Sequence, residues 1–401
     1  MKNLLTLVLL SLVIAFTSCD KDQVESITAP ETYEFLRDGE STVSFSGQTT
    51  RIAMGAELVN ALVDLDQTAD NLIEMYANQS SDGGDVSPYS DESLNSSTKS
   101  IKSKVAASAD FVAVNGSVVS STLKNEIENW ILSQVLEVNA NANQLASPGV
   151  AGQVADGSTP RYVSAKGLEY NQAVSKSLIG ALMVDQISNH YLSPTVLDAG
   201  TQVEDNESGI TVEGKSYTTM EHKWDEAYGY LFGASANPTE PLLTLGDDNF
   251  LNKYLARVEA DEDFSGIAQE IFVAFKLGRA AIVGQDYELR DIQAEVINEA
   301  LAKVIAIRAI YYLQSGKDAL ANNDIGGAFH DLSEGYGFIY SLRFIRQAGT
   351  HHAYFTTDEV DGFIDQLMIG NGFWDVSAET LDALSETVAS AFDFTVDQAY
   401  K

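Results

Sequence analysis

The stretch His330–Arg346, HDLSEGYGFIYSLRFIR, decides how this chain is read, and a weaker echo stands 108 residues before it at His222–Phe232, HKWDEAYGYLF. Aligned without gaps, both run His-x-x-x-Glu-[Ala/Gly]-Tyr-Gly-aromatic. At ~100° of turn per residue, His330, Glu334, Gly337 and Ser341 share one helical stripe, with Leu332, Tyr336 and Ile339 opposite. The echo places His222, Glu226, Gly229 and Gly233 on one side and Trp224, Tyr228 and Leu231 on the other. NQAVSK at Asn171–Lys176 and NEALAK at Asn298–Lys303 form a second echo in the same chain order, at an offset of 127. The longer offset puts an insertion in the first copy, in the acidic, glycine-containing Pro194–Lys215. The pattern predicts an all-α fold, a duplicated helical bundle of two related halves, about 31–246 and 247–401.

Working outward, the spacing predicts helices over Arg51–Asn78, Ser121–Asn143, Ala165–Tyr191, from Thr218 to Gly233, and over Asp248–Ala260 and Ser265–Val283. Further helices are expected at Tyr287–Leu313, Gly326–Gln347, Asp358–Ile369 and Ser377–Phe392. Thr49 or Thr50 is the expected cap of the first. Before it, Thr42–Phe45 alternates like a short strand, giving an extended N-terminal segment. Gln79–Lys104 reads as a long surface loop and Ser147–Thr159 as a Gly/Pro/Ser-rich link. No twenty- to fifty-residue period marks a solenoid.

Apolar residues make up 45% of the 401, enough for a sizeable core, and only seven prolines interrupt it. With 24 basic against 58 acidic residues the net charge is −34, which excludes nucleic acid as a partner. The acidity serves solubility or the binding of cations and basic partners. A monomer is expected.

The single cysteine, Cys19, follows a basic start, the apolar run Leu4–Phe16 and the small residues Thr17-Ser18. The run is short for a membrane span and long enough for a signal peptide. Residues 1–18 therefore read as a signal peptide resembling a bacterial lipobox, Cys19 as the lipidated residue, and 19–30 as a tether. Asp20-Lys21-Asp22 resembles the acidic signal that sends Bacteroidetes lipoproteins to the cell surface. The expected location is the outer membrane, held by the lipid anchor.

Of five histidines, His222 and His330 hold equivalent motif positions, each with Glu at i+4. Such a pair projects from one helix face and can supply two ligands to one metal ion. If the two helices face each other, His222, Glu226, His330 and Glu334 form a two-His, two-carboxylate set suited to iron, zinc or manganese. The alternative is that each pair is a satisfied core contact, with Gly229 and Gly337 letting helices approach. His351-His352 falls in a loop, and His190 at a helix end complements the dipole. Metalloprotease, nucleophile-elbow, phosphate-loop and dinucleotide motifs are all missing.

The lipobox, YEFLRDGESTVSFSGQTTR at Tyr33–Arg51, EHKWDEAYGYLF and FHDLSEGYGFIYSLRF together resemble a Bacteroidetes lipoprotein family catalogued as domain of unknown function 4856. More distantly, paired His–Glu helices resemble the imelysin family of bacterial surface proteins. That resemblance implies iron acquisition and, as a weaker alternative, metallopeptidase activity. The imelysin hallmark Gly-x-His-x-x-Glu differs here: neither His222 nor His330 has a glycine two residues before it. The function expected is a non-enzymatic binding protein in iron or nutrient uptake beside an outer-membrane partner. A structural or interaction protein of the cell surface is the alternative.

Overall fold

The computed structural model describes residues 26–350 and 352–401; Cys19, the signal-like stretch and His351 lie outside the described residues. The fold is all-α. A two-residue ladder, β1 (Leu36–Arg37) with β2 (Glu40–Ser41), precedes α1 (Ser46–Leu62), α2 (Ala69–Ala77) and the short α3 (Glu92–Asn95). Next come α4 (Val118–Ser133), which runs on as a π-helical turn, and an antiparallel hairpin, β3 (Gly152–Asp156) with β4 (Thr159–Val163). α5 (Tyr170–Leu178) continues through π-helical Ile179–Val184 and Ile187–Tyr191. After α6 (Pro194–Leu197) and α7 (Gln202–Glu207) stand α8 (Thr219–Phe232), α9 (Leu251–Glu259) and α10 (Ile267–Val283). The 35-residue α11 (Tyr287–Ala321) leads into α12 (Ile325–Ser341), and α13 (Thr357–Met368), α14 (Ala378–Ala389) and α15 (Val396–Ala399) complete the order.

One hydrophobic core runs from Tyr33 to Ala399. α11 and α12 form its centre, joined by a tight turn in which Asn323 takes φ +58° and the Asp324 side chain caps α12 by accepting from Gly327 N. α12 lies on α5, and α8 lies on α1. Both crossings depend on missing side chains. A Cβ on Gly337 would stand 2.4 Å from Lys176 Cβ, and one on Gly229 2.4 Å from Phe45 Cβ.

Several elements differ from the sequence reading for local reasons. The helix expected over Arg51–Asn78 is two helices. Asp64 accepts from Asp66 N at 3.0 Å and Gln67 Nε2 at 3.1 Å, turning the chain, and Thr68 caps a fresh start. Neither Thr49 nor Thr50 caps α1, which begins earlier, at Ser46. Thr42–Phe45 is no strand: the Ser44 amide donates to Asp225 Oδ2 instead of to a ladder partner. The Ser147–Thr159 link holds half of a hairpin, closed where Gly157 takes φ +54° after Asp156. The Pro194–Lys215 loop contains α6 and α7, and α12 stops at Ser341 short of Gln347.

Candidate functional site

Each His–Glu pair sits in its own setting, because α8 packs on α1, α7 and α10 while α12 packs on α5 and α11. On α8, His222 Nε2 lies 3.9 Å from Glu226 Oε2, and the ring stacks on Tyr217 at 4.6 Å. That same oxygen accepts from Lys223 Nζ at 2.8 Å, and Oε1 accepts from Gln48 Nε2 at 3.1 Å. On α12, His330 is bracketed. Its Nε2 lies 3.7 Å from Glu334 Oε1, its Nδ1 3.4 Å from Glu169 Oε2 and 3.1 Å from Arg161 Nη1. Glu334 Oε1 also meets Lys176 Nζ at 3.3 Å, while Oε2 lies 3.4 Å from the Tyr254 hydroxyl.

The structure thus does not bring His222, Glu226, His330 and Glu334 into one set. Among the described residues no group of three or more His, Cys, Asp or Glu is arranged to hold a metal ion. The donors do not fit iron or another divalent ion. The Glu226 and Glu334 oxygens that face the histidines are each engaged by a lysine, and Arg161 adds a second cation beside His330 and Glu169. A divalent ion would have to displace those charges.

Identical motif positions are tuned in opposite directions. Burial opposes charge on both rings. At His330 the carboxylates of Glu169 and Glu334 outweigh burial and raise the pKa; at His222 burial prevails over Glu226, with Lys223 adding to it, and lowers the pKa. The raised His330 contributes stability that is present below its unfolded pKa and lost as pH rises through the folded one. The depressed His222 contributes stability above its unfolded pKa that is lost as pH falls. His330→Gln is therefore expected to cost more at about pH 5.5 than at about pH 8.5, and His222→Gln the reverse. Urea unfolding of both variants at the two pH values checks this; equal losses at both would refute the opposed tuning.

Two features went unseen in the sequence. The first is a fully buried ion-pair cluster on α8 and α10. Arg279 Nη1 donates to Glu221 Oε1 and Nε to Asp225 Oδ1, each at 3.1 Å, and Nη2 to Thr42 Oγ1 at 2.9 Å. Arg37 bonds Glu221 and the Tyr33 hydroxyl bonds Asp225, fastening the N-terminal segment to the bundle. An arginine inside the apolar run IFVAFKLGRAAIV was its only signal. The second is Asp185, enclosed where the π-helical segments meet. It accepts from Ala107 N at 3.0 Å and Asn189 Nδ2 at 3.2 Å, and burial pushes its pKa up to about 7.

A cavity of about 250 Å³ is lined by Arg161 and Glu169 beside His330, and larger spaces lie elsewhere. A groove of about 740 Å³ beside the N-terminal segment is lined by Tyr33, Val43, Phe45, Ala53, Leu94 and Pro238, among others. A second cavity, of about 710 Å³, lies between α9, α11 and the last residues. No helix among the described residues is long and apolar enough to cross a membrane.

Searches of the curated proteins and of the solved structures found no match. A family model matches residues 30–395, almost the whole described chain and every element from β1 to α14. The chain belongs to the family described as Domain of unknown function (DUF4856).

Proposed function

We propose that this protein is a lipid-anchored, non-enzymatic binding protein of the outer membrane, in which the two His–Glu pairs are internal struts and ligand is taken elsewhere. The observation that carries this reading is the engagement of both pairs by the protein's own lysines, while cavities of about 740 and 710 Å³ stand open at other places. Cavities of that size take small molecules, whereas a His–Glu pair whose carboxylate is already held by a lysine has little left to offer one. Anchoring through Cys19 is supported by the lipobox-like sequence before it, and a role beside an uptake partner by the resemblance to surface lipoproteins. Iron has the least support, since the residues first assigned to it carry cations already.

The test is to express the full chain and its Cys19→Ser variant, fractionate the cells, and assay metals in protein purified without chelators or a histidine tag. The parent is expected in the outer-membrane fraction and the variant outside it, with no stoichiometric iron, zinc or manganese in either. A membrane-free parent would overturn the anchor. Stoichiometric metal lost in a His222→Ala/His330→Ala double variant would overturn the strut reading and restore a metal site.

A further inference from the structure

Arginines buried in this chain meet an acceptor almost everywhere. Arg279 holds Glu221 and Asp225, Arg290 holds Asp198, Arg343 holds Asp361 and Arg346 meets Glu295. Arg51 donates to the carbonyls of Ser100 and Gly47. Arg308 departs from this rule. It is 5% exposed, and its Nε and Nη2 have no hydrogen-bond partner among the described residues. In a chain with 58 acidic residues against 24 basic ones, a counter-charge was easily come by. A buried charge left unpaired is among the costlier arrangements in a protein interior.

What surrounds Arg308 orients it. The guanidinium carbon lies 4.0 Å from the Tyr311 ring centroid, 4.6 Å from that of Tyr312 and 5.7 Å from that of Tyr254. Aromatic faces hold a guanidinium in place through its plane and leave its N–H edge to other partners. Nε and Nη2 share one edge, the fork that grips a carboxylate with two parallel hydrogen bonds. Lys176 and Lys253 also approach Tyr254, at 5.4 and 5.8 Å, and Glu334 answers the charge of Lys176.

Arg308 lines the cavity of about 710 Å³, and Arg257, exposed and without an ion pair among the described residues, lines it too. Asp261, Glu262 and Asp263 line the same cavity; Asp263 is taken by Lys401, which leaves Asp261 and Glu262 without an ion pair among the described residues. Positive and negative groups therefore line one small space. Repulsion from Asp261 and Glu262 disfavours a polyanion, while a ligand with opposite charges at its two ends meets both sets.

We propose that this cavity binds a small zwitterion, a carboxylate carrying an ammonium group as in a free amino acid, with the carboxylate gripped by Arg308 and steadied by Arg257 and the ammonium facing Asp261 and Glu262. The Arg308 fork is buried in the free chain beside the cavity that Arg308 lines, so its grip on a carboxylate requires the last bonds of the side chain to turn. The proposal deepens the reading of the chain as a binding protein. It is read on soluble protein, so that failure of the membrane anchor leaves it untouched.

The experiment uses the chain begun at Asp20, which keeps every described residue. Calorimetric titrations with lysine, glutamate and leucine as zwitterions are set against acetate and inorganic phosphate. Saturable heat is expected from at least one amino acid, with weaker binding of acetate and none of phosphate. Arg308→Met and Arg257→Gln should weaken it by about tenfold or more and by a smaller factor, respectively. Arg308→Met is also expected to raise the melting temperature, because it removes an unpaired buried charge. Absence of saturable amino-acid binding, tighter binding of phosphate, or amino-acid binding unchanged in Arg308→Met would overturn the site. A lowered melting temperature in that variant would make Arg308 a structural cation held by the tyrosines, and would overturn it as well.

Discussion

Arg279→Met is expected to lower the unfolding free energy by about 3–5 kcal/mol at neutral pH, the largest loss of any single substitution considered for this chain. Arg279, Glu221 and Asp225 are all fully buried. Removing the guanidinium leaves two carboxylates in the core, with Arg37 still on Glu221 but nothing cationic on Asp225. Burial already lifts the Asp225 pKa to about 6 against the pull of Arg279. Its contribution to stability is thus present below the unfolded carboxylate range and lost as pH rises through the folded value; without Arg279 that value climbs further. The penalty should therefore be smaller at about pH 5, where Asp225 is protonated, than at about pH 8. Guanidinium unfolding at both pH values measures it. The triple variant Arg279→Met/Glu221→Gln/Asp225→Asn should recover much of the loss, since breaking a buried pair costs more than replacing it whole. A pH-independent loss, or no recovery, would show that Arg279 acts through packing on Phe35, which lies 4.8 Å from its guanidinium carbon.

The second large effect belongs to Gly337→Ala. A Cβ there would stand 2.4 Å from Lys176 Cβ, 3.1 Å from Ser177 N and 3.2 Å from Ala173 O. Two of those atoms are backbone, so relief requires α12 and α5 to separate. The nearby Gly180–Ser341 contact, 2.6 Å from a built Cβ to Ser341 Cα, would resist that separation. Overpacking of this kind costs about 1–3 kcal/mol, and moving Lys176 from Glu334 places the effect at the upper end. Gly229→Ala is expected to cost somewhat less, because its close neighbours are Phe45 Cβ and Gln48 Cβ with no backbone atom among them, so relief needs only the start of α1 to move. Gly362→Ala, in α13 with no atom within 4 Å of the added Cβ, should instead stabilise by up to about 1 kcal/mol through helix propensity. Denaturation midpoints order the three; Gly337→Ala behaving like Gly362→Ala would disprove the close-packed crossing.

The legible part of the fold was its helices. The 3.6-residue apolar spacing locates α8, α10, α11 and α12, since one buried face per helix leaves that trace. Boundaries escaped where a side chain competed with the helix for backbone groups, as Asp64 does, or where a turn needed one residue of special conformation, as at Gly157. The motif Glu334 and His330 were recognised as a pair, but their real partners were not. Glu169 and Lys176 come from α5 and the residue that precedes it, and Arg161 from β4, each more than 150 positions away from His330. Sequence spacing reports neighbours along one helix and is silent about neighbours across a crossing. The lysine within the buried run of α5 was the one cue available. A charge carried into an apolar helix needs a counter-charge, and Glu334 is that counter-charge.

The clamp on the N-terminal segment has a mechanical meaning. Glu31 O accepts from Lys276, the Tyr33 amide donates to Thr239 O, and the Tyr33 hydroxyl and Arg37 reach Asp225 and Glu221 in the interior. A pull applied to the chain before Glu31 therefore does not peel the two-residue ladder from an edge. It loads several bonds on α8 and α10 at once, and the Tyr33–Asp225 bond among them is buried. Tension applied there ends in the centre of the bundle, so the body should hold under a force that straightens the chain before Glu31.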